Sequence, residues 1–208
     1  MKRADAKDLG GTCLFLQGAS GDLSANSPPN VHGHKAFGEV LGREVVSLAR
    51  SIETKVPADP SIVVRDEDFE FKNMRIDLNN PLIKAIYIRA FFKGLVDFFI
   101  EEYKGGIIRP HLTVAIVNGE LGLVGASGEF FSNHSVRLKQ RSRLPNTLFL
   151  GYCNDYQQYF PTIEGAAEGG YGADPAVSPA PIGAGEEIMN RALFHLYDMQ
   201  GKYEFKLF

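Results

Sequence analysis

The stretch HLTVAIVNGELGLVGASGE, residues 111–129, decides the fold. Two apolar runs, 112–117 and 121–126, flank Asn118-Gly119. Asn-Gly accepts the positive φ angles of a tight hairpin turn, so two adjacent antiparallel strands are predicted here. The second run ends in small residues and an acid, Gly125-Ala126-Ser127-Gly128-Glu129. An earlier apolar run ends the same way, in Gly18-Ala19-Ser20-Gly21-Asp22. Both put a carboxylate just past an apolar run. The carboxyl ends of strands in α/β sheets are where binding sites gather. Chance likeness between two small-residue turns is the competing account.

Outward from the hairpin, apolar strands alternate with helical patterns. A short buried strand is expected at 12–17, then a Ser-, Pro-, Asn- and Gly-rich loop to about Lys35. Phe37, Val40, Leu41, Val45, Leu48, Ala49 and Ile52 recur at helical spacing and form one apolar stripe. Residues 61–78 read as extended, with alternation around Phe69 and Phe71. Residues 81–103 read as one long, amphipathic, largely buried helix that stops at Lys104-Gly105-Gly106. Further expectations are a helix over about 129–140, a buried strand over 146–152 and a Gly/Pro-rich loop over 161–185. A closing helix over 186–199 carries Ile188, Ala192, Leu193 and Leu196 on one face. The fold class is therefore α/β, with mixed β-sheets flanked by helices. No composition shift marks a domain boundary, and no tandem repeat is present.

Composition narrows the partners. A net charge of -3 leaves no basic footprint for nucleic acid. Lys84, Arg89, Lys93 and Asp97 interrupt the longest apolar stretch, which argues against a membrane-spanning helix. Cys13 and Cys153 are too few for a disulfide framework and read as free thiols.

Three segments carry chemistry. In "GASGDLSAN", glycines at 18 and 21 permit close backbone approach, and Ser24 lies in a loop left open by small neighbours. A serine hydroxyl needs a base before it becomes a nucleophile. The plain alternative is that Asp22 or Ser24 forms a turn. In "SGEFFSNHSVRLK", Glu129 stands where a strand gives way to a helix, as a cap or as a metal ligand. In "GYCNDYQQYFPTIEGAAEGGYG", Tyr152, Tyr156, Tyr159 and Tyr171 crowd a segment that leaves a strand for a loop. Packing is the default role of each. His32 and His34, two apart, would share a face if extended and grip one metal; a solvated loop is the alternative. His111, His134 and His195 are isolated and read as structural or exposed.

In this order the segments resemble the neutral/alkaline, non-lysosomal ceramidase family. "GDLSAN" (21–26) is similar to its Gly-Asp-Val-Ser-Pro-Asn motif, with Leu for Val and Ala for Pro. "GEF" (128–130), with "VRLK" downstream, is similar to its Gly-Glu-Phe and Arg-Arg-Leu-Arg elements. "NDYQQYFPT" (154–162) resembles Asn-x-Tyr-x-x-Tyr-x-x-Thr, and Tyr171 follows Tyr159 by the family's twelve residues. The resemblance implies a zinc-dependent amidase that hydrolyses N-acylsphingosine, an N-acyl sphingolipid, to sphingosine and fatty acid. Ser24 matches the nucleophile, Glu129 and Tyr159 two Zn2+ ligands, and Tyr171 the phenol that steadies the oxyanion. It also implies a secreted or membrane-surface setting.

The departures are specific. The family's other two zinc ligands are histidines upstream of the serine motif, and this sequence has no counterpart to them or to an accompanying arginine. His32-Gly33-His34 lies on the wrong side of Ser24 to supply them. The C-terminal immunoglobulin-like domain is also missing. Residues 1–208 are thus expected to be a partial ceramidase-like catalytic domain, poorly active or inactive alone, whose partner is the N-terminal part of the same domain. Two rivals stand beside this: a noncatalytic lipid-binding or interaction module with a degenerate site, and another hydrolase with His32 and His34 in a rearranged metal site.

Overall fold

The structure is a computed structural model that describes residues 9–10, 12–72 and 77–203. Residues 73–76 of the predicted extended segment lie outside the described residues. The chain forms two compact units, one of residues 1–16 with 24–58 and the other of residues 17–23 with 59–208. The second unit includes a seven-residue piece, 17–23, from within the span of the first.

The first unit is built on α1 (Gly33–Ser51), where the apolar stripe predicted it. Only Gly42 and Val46 of this helix are buried, and Leu41 and Leu48 of the stripe are exposed. The strand expected at 12–17 is not formed, and Leu14, Phe15 and Leu16 are exposed. A strand needs a hydrogen-bonding neighbour along its flank, and none of the sheets includes this segment.

The second unit centres on the predicted hairpin. β4 (His111–Val117) and β5 (Leu121–Ala126) pair antiparallel, with Val117 opposite Leu121. Asn118 and Gly119 both take positive φ, 53° and 67°, as the turn requires. β1 (Ile62–Asp68) joins the open edge of β4 antiparallel, and β7 (Asn146–Leu150) joins β5 in parallel. The sheet order β1-β4-β5-β7 is therefore mixed, as expected. The pair β2 (Phe71–Lys72) and β3 (Ile107–Ile108) forms a second, small sheet. The closing helix, which runs from Ala184 to Met199, packs its buried Ile188, Ala192, Leu193 and Leu196 toward Leu112, Val114 and Ile116 of β4.

The single helix expected over 81–103 is two: α2 (Pro81–Ala90) and α3 (Lys93–Glu102). Phe91 and Phe92 between them leave the helical region. The break has a geometric reason. Tyr87 and Val96 are nine residues apart, about half a turn out of phase at roughly 100° per residue, so one straight helix would face them oppositely. With the break, both enter the same core. Lys104-Gly105-Gly106 ends the run as predicted, in a 3-10 turn with Gly105 at φ 74°. Among the described residues, no helix is long and apolar enough to cross a membrane.

The open face of β1 and β4 carries a charged cluster. His111 Nδ1 lies 2.6 Å from Asp68 Oδ1, and its Nε2 lies 3.3 Å from Asp66 Oδ1. Both ring nitrogens face carboxylates, so only the protonated imidazole satisfies both. The hydrogen bond to Asp68 is the main reason that the His111 pKa is raised. A raised folded-state pKa gives stability that is complete below the unfolded value of about 6.5 and is lost as pH rises through the folded one. The wild-type protein is therefore expected to lose stability in urea titrations upward from about pH 6.5, more steeply than His111→Gln. Equal slopes would remove the assignment.

Candidate functional site

The candidate site grows from a very short parallel pairing. β6 (Glu129–Phe130) lies beside β8 (Tyr159–Phe160), with Glu129 opposite Tyr159 and Phe130 opposite Phe160. The Glu129 N–H donates to Gln158 O at 2.8 Å and the Phe131 N–H to Phe160 O at 3.1 Å. Beneath the pair, the fully buried Phe130 stacks on Phe160 at 4.6 Å and meets Phe149 edge-on at 5.1 Å. The alternation of a strand then turns Glu129 and Tyr159 away from this aromatic floor. The helix expected to begin at Glu129 instead starts three residues later, as α4 (Ser132–Arg141). Glu129 is thus a strand residue and not a helix cap, because β8 holds its backbone in extended form.

Three tyrosines surround Glu129, and a fourth packs against one of them. The Tyr156 hydroxyl donates to Glu129 Oε1 at 2.7 Å. The Tyr152 and Tyr159 phenols lie close enough to this carboxylate to feel its charge. Tyr171, in a 3-10 turn (Tyr171–Ala173), meets Tyr159 edge-on with ring centres 5.6 Å apart. Burial first, and then the Glu129 carboxylate, push the Tyr152, Tyr156 and Tyr159 phenols above the ordinary tyrosine range. At neutral pH all three keep their protons, and Tyr156 gives its hydrogen bond to the carboxylate.

The loop that delivers these phenols, 151–158, is bent hard. Tyr152, Asn154 and Gln158 take φ values of 55°, 67° and 61°. Such backbone costs on the order of 1–3 kcal/mol per residue and persists only where the surroundings enforce it. The enforcement is visible. Tyr152 N–H bonds Gly128 O and Cys153 N–H bonds Ala126 O, both at 3.1 Å. The fully buried Gln157 donates to Glu102 of α3 at 2.8 Å and to Asp155 at 2.6 Å.

The two echoing segments meet here. Gly21 N–H donates to Phe130 O at 2.9 Å, and the Asp22 carboxylate accepts from Ser132 N–H at 2.6 Å and from Ser132 Oγ at 3.0 Å. Asp22 thus caps α4 from a distant part of the chain, a contact that gave no sequence signal. Glycine is required where the segments touch: a Cβ on Gly21 would lie 2.7 Å from Glu129 O.

Of the four residues singled out from the sequence, Glu129, Tyr159 and Tyr171 are therefore neighbours. Ser24 is exposed and belongs to the other compact unit. Tyr152 and Tyr156 are functional candidates that the motif reading left without a role. Their signal was the crowding of tyrosines in "YCNDYQQY". His32 precedes α1 and His34 lies in its first turn, so they do not share the face of an extended segment. His134 is buried, and His195 bonds Glu67 at 2.6 Å.

A zinc ion bound by carboxylate and phenol would hold their oxygens about 3.3 Å apart along one edge of a tetrahedron. Glu129 and Tyr159 stand side by side across the β6–β8 pairing. Two donors fall short of the three protein ligands of catalytic zinc. Among the described residues, no group of three His, Cys, Asp or Glu is placed to hold a metal. These residues do not by themselves make a zinc site.

Comparison with solved structures gives the fold a precedent. The chain is similar to neutral ceramidase from Pseudomonas aeruginosa, with a TM-score of 0.59 over 99% of its residues. The fold is ceramidase-like. Sequence identity is 14%, and the chain spans 40% of that protein's length. A ceramidase complexed with C2 matches 50% of this chain and 17% of its own, at 18% identity and a TM-score of 0.39. No protein-family model and no curated protein matches the sequence.

The close approach of Gly21 to β6 is testable. Gly21→Ala is expected to destabilise the protein by about 1–3 kcal/mol and to speed hydrogen exchange at the Ser132 amide. Unchanged unfolding and unchanged exchange at Ser132 would mean that the two segments do not touch.

Proposed function

We propose that this chain is part of a ceramidase-like, zinc-dependent amidohydrolase acting on N-acyl sphingolipids. The observation that carries the reading is Glu129 paired with Tyr159 across β6 and β8 of a ceramidase-like fold, with Tyr171 against Tyr159. In this reading Glu129 and Tyr159 are two metal ligands, and the two histidine ligands come from outside this sequence. The lipid substrate and a membrane-surface setting follow from the same reading.

Ser24 is the nucleophile. Its Oγ forms a bond to the amide carbonyl carbon, the C–N bond breaks, and the sphingoid amine leaves with the proton that the hydroxyl gives up. Water then cleaves the acyl ester and releases the fatty acid. Tyr171 donates to the oxygen that gains charge at the tetrahedral stage, a position where one donor is worth about 10²–10³ in rate. Its exposure suits a substrate-facing group.

A second reading is favoured by one observation, that the described residues supply no three-ligand metal cluster. Here the chain binds an N-acyl lipid without cleaving it.

Hydrolysis of an N-acylsphingosine by the protein in its natural full-length form separates the two. Zinc-dependent release of fatty acid is expected, abolished in Ser24→Ala and reduced about 10²–10³-fold in Tyr171→Phe. Lipid binding without release would favour the second reading. Hydrolysis that survives Ser24→Ala would remove the nucleophile assignment.

A further inference from the structure

Glu129 raises a mechanical question. β6 is two residues long and fixes only backbone, while the carboxylate stands at the end of three side-chain torsions. Left alone, such a side chain samples several rotamers, and ordering it costs conformational entropy. A ligand-bearing oxygen must point one way.

The three phenols around Glu129 are not equivalent. Tyr159 sits opposite it across the pairing and is itself a candidate ligand, so it moves with the site. Tyr152 is exposed. Tyr156 alone is gripped on both sides. Its ring stacks on Tyr152 at 5.5 Å with planes 3° apart, and it leans on Phe99 at 6.2 Å. Phe99 is buried and stacks in turn on the buried Tyr103 at 5.4 Å. The backbone on either side is tied down as well. Tyr156 N–H donates to Asp155 Oδ1 at 2.6 Å, and the next residue, Gln157, is pinned to Glu102 on α3. The phenol is a donor fixed to the core through α3, and it points at one oxygen of Glu129.

We propose that Tyr156 positions the Glu129 carboxylate, its hydroxyl fixing Oε1 and thereby setting the direction of the second oxygen. An ionised carboxylate offers about four acceptor sites. Tyr156 takes one of those on Oε1 and leaves the others for further partners. Partners that orient a ligand in this way are commonly worth 10–100-fold in metal affinity. The inference rests on the reading of Glu129 as a ligand, and it adds a residue to which the motif resemblance gives no task.

The test uses the metal-free full chain. Tyr156→Phe keeps the ring and its stacking and removes only the hydroxyl. NMR scalar couplings of a carbon-13-labelled Glu129 are expected to report one rotamer in the wild type and a mixture in Tyr156→Phe. Tyr152→Phe is expected to keep the single rotamer. A single rotamer in Tyr156→Phe would overturn the proposal. So would the absence, in the wild type, of a nuclear Overhauser contact between the Tyr156 hydroxyl proton and the Glu129 γ-methylene, whether or not the variant folds. Neither readout involves metal or turnover. Failure of Glu129 to bind zinc would sink the functional reading and leave this one standing; an unrestrained Glu129 would do the reverse.

Discussion

Everything at the candidate site hangs on two residues of parallel pairing, Glu129 with Tyr159 and Phe130 with Phe160. So short a ladder supplies few hydrogen bonds, and what holds it is the dry aromatic floor beneath. Phe130, Phe149 and Phe160 fill that floor, and alternation along each strand lifts the polar neighbours to the opposite side. A carboxylate and a phenol are thereby presented together. Remove the floor and the two polar groups have no reason to share a location.

The parts of the fold that a local pattern could specify were readable from the residues. Asn118-Gly119 demands a hairpin, and the 3.6-residue stripe around Ile188, Ala192, Leu193 and Leu196 demands a buried helix. The failures came where tertiary packing decides. Nothing local marks Phe91–Phe92 as a break; only the need to bring Tyr87 and Val96 into one core does so. The apolar run before Gly18 looked like a strand, yet strand formation depends on a neighbour, and Leu14, Phe15 and Leu16 have none in the sheets described. Within the loop predicted for 161–185, α5 (Ile163–Glu168) forms because Thr162 caps it through Gly165 N–H at 3.0 Å.

The site shows the same division. Motif order singled out Glu129, Tyr159 and Tyr171, which the fold gathers. It gave no role to Tyr156, which leans on Phe99 of α3 while Phe99 stacks on Tyr103, residues more than fifty positions away in sequence. Nor could it reveal Asp22 as the cap of α4, a bond between residues 110 apart in sequence. Left-handed backbone at Tyr152, Asn154 and Gln158 was equally invisible, because none is glycine. Strain of that kind, held by buried hydrogen bonds, is what a loop shows when its side chains must point in a set direction.

The direct test of the shared site is whether the Glu129 carboxylate and the Tyr159 phenol, on residues paired across β6 and β8, interact. A double-mutant cycle in urea unfolding, with Glu129→Leu, Tyr159→Phe and the pair, measures that interaction with the least else involved. A coupling energy of about 0.5–3 kcal/mol is expected, as for residues in contact or in one hydrogen-bonded network. Additivity within about 0.5 kcal/mol would show that the two groups act independently, and the shared site would be contradicted.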